Sequence, residues 1–133
     1  MKAIQIHSAL CILYVQIQNR STEFYSKLFR MEPVLNVPGM TEFVLSSGLK
    51  LGLMTNDGMA KILSEHLPHP AIGNGIPRCE LYCLVDDVES ECQHALEMGA
   101  QLISPLEDRD WGDKVCYFAD PDGHIIAFAQ AID

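Results

Sequence analysis

Val115-Cys116-Tyr117-Phe118-Ala119-Asp120-Pro121-Asp122-Gly123-His124-Ile125-Ile126-Ala127-Phe128-Ala129-Gln130 is the stretch that decides the fold. Residues 115–119 are apolar and aromatic, as a buried strand requires. Asp120-Pro121-Asp122-Gly123 is turn chemistry: proline presets φ, aspartate bonds nearby backbone, and glycine accepts a positive φ. Residues 125–129 form a second apolar run, so the whole reads as a β-hairpin closed by a glycine-ended loop. A three-residue loop at 121–123 sets Tyr117 opposite Ala127. Alternation then puts Val115 and Tyr117 on one face with Ile125, Ala127 and Ala129, and Phe118 with Ile126 and Phe128 on the other.

Outward from this hairpin, the chain reads as two copies of one unit. Residues 10–15 form an apolar strand. Asn19-Arg20-Ser21-Thr22 opens a helix with Ser21 or Thr22 as the expected cap, and Phe24, Tyr25, Leu28 and Phe29 are its apolar stripe. Short strands follow near 34–37, 41–45 and 49–54. The second copy begins with a strand at 80–85. Asp86-Asp87 is its cap region, and Val88, Cys92, Ala95 and Leu96 carry a helix toward Gly99. Strands follow near 101–104, 114–119 and 125–130. Phe43 and Phe118 each precede a glycine, Gly48 and Gly123, that opens an apolar strand. Each unit is strand-helix-strand-strand-strand. Between the units, residues 56–78 are polar and rich in proline and glycine, with a short helix expected around 59–64 and the rest a linker or flap.

At 133 residues and 48% apolar content, the chain is expected to be one globular domain, 1–133, with module 1 at about 4–55, the linker at about 56–78 and module 2 at about 79–131. A net charge of −9 argues against nucleic acid and against a basic membrane-surface helix. No apolar run is long enough for a transmembrane span, and the N-terminal residues do not read as a signal peptide, so a cytoplasmic location is expected. The odd count and scattered spacing of Cys11, Cys79, Cys83, Cys92 and Cys116 fit reduced thiols, with Cys79 and Cys83 read as core packing.

The closing hairpin, with Leu13-Tyr14-Val15 and Phe24-Tyr25 in the first unit, Leu84-Val85-Asp86-Asp87-Val88 in the second and Trp111-Gly112 before the last strands, resembles the vicinal oxygen chelate superfamily. That superfamily includes glyoxalase I, bleomycin-resistance proteins, extradiol dioxygenases and fosfomycin-resistance enzymes. The resemblance implies an α+β fold of two βαβββ modules whose curved mixed sheets surround a cleft. It also implies four inward metal positions, which fall here on Leu10, Gly52, Glu80 and Ala127, where metal-binding members carry glutamate at the last. Only Glu80 can bind a cation, and a catalytic divalent site needs about three protein ligands. His7, His66, His69, His94 and His124 do not fall where they could replace the missing donors. No metal and no cofactor is therefore expected.

With Ala127 inward, alternation extends the expected ligand-binding lining to Leu10, Ile12 and Tyr14, to Glu42, Lys50, Gly52 and Met54, and to Glu80, Tyr82 and Tyr117, with Trp111 over the mouth. Small residues at 52 and 127 leave volume where a metal would sit. Such a lining suits an organic, cationic or aromatic small molecule. The sequence leaves two readings open. The favoured one is a metal-free binding protein like the bleomycin-resistance members. The other is a lyase, isomerase or dioxygenase using Glu80, with or without a metal. A homodimer is expected, since resistance-type members commonly dimerise, and residues 1–7 are a candidate for part of the contact.

Overall fold

The computed structural model describes residues 1–133, in two compact units, Met1–Ile72 and Gly73–Asp133. The first unit contains β1 (Ala9–Val15), α1 (Gln18–Phe29), β2 (Leu35–Val37), β3 (Met40–Ser46), β4 (Leu49–Thr55) and α2 (Asn56–Leu63). The second contains β5 (Glu80–Leu84), α3 (Val88–Glu97), β6 (Gln101–Asp108), β7 (Asp113–Ala119) and β8 (Ile125–Ala131). The fold is α+β, with two four-stranded sheets ordered β1-β4-β3-β2 and β5-β8-β7-β6. In each sheet the first strand pairs parallel with the last and the other pairs are antiparallel. Parallel neighbours cannot be joined by a tight turn, so the chain leaves each first strand through a helix and returns by a meander. No helix is long and apolar enough to cross a membrane.

In the first unit, α1 packs on β3 and β4. Tyr25 and Leu28 of α1 are buried, as are Leu13, Val15, Phe43, Leu51 and Leu53 from the strands. The expected cap at Ser21 or Thr22 is not where the helix starts. It starts after Ile17, which gives no side-chain cap, and both Ser21 and Thr22 are buried inside it. The hydroxyl of Thr22 lies 2.9 Å from that of Thr41 on β3, so a hydrogen bond to the sheet outweighs local capping. Gln18 does the work of tying the helix start: its amide donates to Val37 O at 2.8 Å and to Thr41 Oγ1 at 2.9 Å, and Gly39 N donates to its Oε1 at 2.8 Å. Part of the expected linker is α2, capped by the Thr55 hydroxyl, which accepts from Gly58 N.

In the second unit, α3 packs on β6, β7 and β8. Its cap is Asp87, whose side chain accepts from Ser90 N. Val88, Cys92 and Ala95 are buried against Cys116, Phe118, Ile126 and Phe128, whereas Leu96, expected in the same stripe, is 44% exposed. The closing hairpin has the expected register, with Tyr117 opposite Ala127 and Phe118 opposite Ile126. Its turn is held by Asp120, whose Oδ1 accepts from Asp122 N at 2.9 Å and His124 N at 2.8 Å. Gly123 sits at φ +88, and a Cβ there would lie 2.9 Å from Gly75 Cα, so glycine is required by both conformation and approach.

The cysteines differ from expectation. Cys92 and Cys116 are joined as a disulfide, with Cα atoms 6.5 Å apart, because the buried face of α3 sets Cys92 directly over the helix-facing side of β7. Cys79 is exposed rather than packed, and Cys83 is half-buried. The second strand of the second unit, β6, also runs four residues further than expected, to Asp108.

Candidate functional site

On the second sheet, the face away from α3 carries Val115, Ala127 and Ala129, all fully buried, with Tyr82 and Tyr117 packed against them. The register explains the grouping: Tyr82 of β5 and Tyr117 of β7 both pair with Ala127 of β8, one from each side. Ala127 is therefore the floor of a row flanked by two tyrosines. Around this floor lies a polar rim. Trp111 Nε1 donates to Tyr82 Oη at 3.0 Å, and Tyr82 in turn donates to Asp113 Oδ2 at 2.5 Å. Trp111 is 56% exposed. Burial first, and then the hydrogen bond to Asp113, raise the Tyr82 phenol above its ordinary pKa, against a smaller opposite effect of Trp111. Burial also raises Tyr117, helped by the negative charge of Glu80 and opposed by Arg109. Glu80 is exposed, and no hydrogen bond or ion pair engages its carboxylate.

Asp113 and Arg109 belong to this face, and the sequence reading did not select either. Asp113 was within reach of it, being two residues before Val115 on the strand whose alternation was already assigned. Arg109 was not. Strand β6 shifts register on both sides of Ser104, and Pro105 has no N–H to give to the ladder. Arg109 fills the gap: its Nη2 donates to Ser104 Oγ at 3.0 Å, Pro105 O at 2.8 Å and Val115 O at 3.0 Å. Its guanidinium lies over the Tyr117 ring, 5.3 Å from the centroid, with Nη1 3.5 Å from Glu107 and a buried Nε that has no partner.

The first unit has its own face away from α1. Leu10, Ile12 and Tyr14 of β1 pair with Lys50, Gly52 and Met54 of β4, and Glu42 of β3 pairs with Gly52. These expected lining residues therefore share one face, opposite the buried Leu13, Phe43, Leu51 and Leu53. Leu10 and Ile12 are 40% and 38% exposed, and Lys50 Nζ lies 3.4 Å from Glu42 Oε1. The room expected at Gly52 is not open. A Cβ there would meet Ile12 Cγ1 at 3.0 Å and Met40 Sδ at 3.5 Å, so neighbouring side chains already fill it. Ala127 is itself fully buried, with Val115, Ala129, Tyr82 and Tyr117 packed around it.

A metal implied by the resemblance does not fit these residues. Of the four corresponding positions, leucine, glycine and alanine offer no donor atom, and nowhere in the structure do three His, Cys, Asp or Glu side chains converge on a point that could hold an ion. What the second face offers is aromatic surface with a carboxylate edge, which is an arrangement for contact and hydrogen bonding.

Comparison with known proteins gives this geometry its context. An uncharacterised protein of Mycobacterium bovis is 30% identical over 134 residues, covering 98% of this chain and 88% of its own. A glyoxalase-related enzyme from Fulvimarina pelagi has the same fold with a TM-score of 0.77 at 22% identity, over 92% of this chain and 86% of its own. TnmS3, an antibiotic binding protein from Streptomyces sp. CB03234, superposes with a TM-score of 0.72 at 21% identity, over 99% of this chain and all of its own, 100%. The Glyoxalase/Bleomycin resistance protein/Dioxygenase superfamily matches residues 5–128, nearly the whole of both units, and the chain belongs to that superfamily.

Proposed function

We propose that this protein binds a small organic molecule without a metal, against the tyrosine-flanked face of its second sheet. The observation that carries this reading is Ala127. Where metal-binding members of the superfamily carry a glutamate, this chain has a fully buried alanine between Tyr82 and Tyr117. Aromatic side chains supply contact area at low conformational cost, and a few polar groups set orientation. TnmS3, an antibiotic binding protein of the same fold, is a precedent for binding on this scaffold. A second reading, catalysis with Glu80 as general base, draws on the absence of any partner for that carboxylate.

Elemental analysis of mildly purified protein, alongside a binding screen read by the fluorescence of Trp111, tests the proposal. The expected result is no stoichiometric metal and quenching by binders that are recovered unchanged. One chelator-removable divalent ion per chain, lost together with a defined turnover, would overturn it.

A further inference from the structure

The geometry points to the chemical class of the ligand: an organic cation, a protonated amine on a flat apolar body, selected because Tyr82 Oη as Trp111 and Asp113 orient it, together with the Glu80 carboxylate, offers acceptors at the edge of this face. The inference rests on the proposed binding face and adds to it. The direction of each hydrogen bond follows from which atoms carry protons. An indole nitrogen can only donate, so Trp111 Nε1 makes Tyr82 Oη an acceptor at 3.0 Å. An ionised carboxylate can only accept, so Asp113 takes the single phenol proton of Tyr82 at 2.5 Å. Tyr82 is thereby fixed with its proton turned to Asp113 and its lone pairs turned to the Trp111 side. A ligand group that takes the place of the Trp111 indole meets an oxygen that accepts and has no proton to give.

The neighbouring groups have the same polarity. Glu80 is a carboxylate with no hydrogen bond or ion pair, close enough to Tyr117 for its charge to be felt there. The one cation on this face, Arg109, directs its Nη atoms to Ser104 Oγ, two backbone carbonyls and Glu107, and its unpartnered Nε is buried. Its position over Tyr117 shows that this face already holds a guanidinium against an aromatic ring. Aromatic faces attract cations, and hydrogen bonds to charged groups contribute more than neutral ones. A carboxylate or phosphate ligand would meet acceptors at Tyr82, Asp113 and Glu80 and find a donor in the Tyr117 hydroxyl alone, and like-polarity contacts without donors are costly. Asp113 acts as a positioning residue, since it sets the direction of the Tyr82 hydroxyl.

The test uses three probes of matched shape: naphthylmethylammonium, naphthylmethanol and naphthoate. Affinity is measured by calorimetry, and binding at the face by the indole N–H resonance of Trp111, the single tryptophan. The ammonium is expected to bind at least about tenfold tighter than the carboxylate and to shift the indole resonance. The overall charge of −9 favours any cation anywhere on the surface, so the deciding variant is Tyr82→Phe, which leaves the charge unchanged. It should weaken the ammonium severalfold and leave the alcohol's indole shift in place. Glu80→Gln should lower the ammonium-to-alcohol preference, and Asp113→Ala, which frees the Tyr82 proton, should raise naphthoate relative to ammonium. Naphthoate binding as tightly as the ammonium, with the indole resonance shifted by both, would overturn the assignment of class and leave the binding face standing. An ammonium preference unchanged in Tyr82→Phe would overturn it equally. If no probe shifts the Trp111 resonance, the face is not the binding site and both readings fall.

Discussion

Restoring the superfamily's metal-ligand glutamate by Ala127→Glu puts the filled floor of the second sheet under direct strain. Ala127 is fully buried, packed with Val115 and Ala129 beneath Tyr82 and Tyr117. Three extra heavy-atom positions and a terminal carboxyl oxygen have no room there. Overpacking of this kind costs about 1–3 kcal/mol, and a buried carboxyl without partners adds about 1–3 kcal/mol more. The total, about 2–6 kcal/mol, is a large part of the stability of an ordinary domain. For a chain of this size it corresponds to a fall in Tm of roughly 7–20 °C. Circular-dichroism melts of the parent and variant at pH 8 measure it. A pH series adds a sign. Burial raises the folded-state pKa of the new carboxyl above its unfolded value of about 4.3. Protonation thus relieves the variant below that value, and the deficit grows as pH rises through the folded-state pKa. The melts at pH 4 should therefore differ less than those at pH 8. A variant that melts within about 3 °C of the parent, or one that binds stoichiometric zinc and regains its stability, would refute the reasoning, because the floor would then have room for a metal ligand.

Four further outcomes follow from the same structure. Gly123 and Gly99 share φ +88, but only at Gly123 would a Cβ approach backbone, that of Gly75, at 2.9 Å. Gly123→Ala should therefore be more destabilising than Gly99→Ala, which carries only the conformational cost of about 1–2 kcal/mol, and equal melting temperatures would remove the role given to the Gly75 contact. Burial pushes the Cys83 thiol up to about 11, so at pH 8 iodoacetamide should label exposed Cys79 well before Cys83, with Cys92 and Cys116 labelled only after unfolding and reduction. Equal rates at Cys79 and Cys83, read by peptide mass mapping, would contradict this. Tyr82 and Tyr117 both titrate above the ordinary phenol range, so they stabilise the fold below about pH 10 and lose that contribution as pH rises through their folded values. Alkaline absorbance titration should show a late component that shrinks in Tyr82→Phe, and an unchanged curve would remove the assignment. Finally, residues 1–8 form no strand, and Ile4 and Ile6 are 81% and 70% exposed; the expected homodimer would cover them. Light scattering across a dilution series should give twice the chain mass, and 14.8 kDa throughout would exclude a dimer.

The amino-acid order by itself determined whatever depends on near neighbours. The Asp-Pro-Asp-Gly turn specifies its own geometry, and the register across it follows by counting, which is why Tyr117 faces Ala127 as read. Alternation then sorted the residues of β1, β3, β4, β7 and β8 correctly between the helix-facing side and the other face. The loss of metal donors at Leu10, Gly52 and Ala127 was equally legible, since it needs only residue identity once the superfamily's positions are known. The tertiary structure decided what depends on partners distant in sequence. Ser21 and Thr22 have the chemistry of caps, but Thr22 bonds Thr41 across the unit, and Gln18, an unremarkable residue in the sequence, secures the helix start. Cys92 and Cys116 are 24 residues apart, and only the seating of α3 on β7 brings them together. Arg109 became a member of the face because β6 slips register around Pro105, leaving carbonyls that need a donor. Whether small residues leave a hole cannot be read from their size: Ile12 and Met40 fill the space at Gly52, and tyrosines pack over Ala127. Local rules set a residue's direction, and packing among distant residues sets what it meets there.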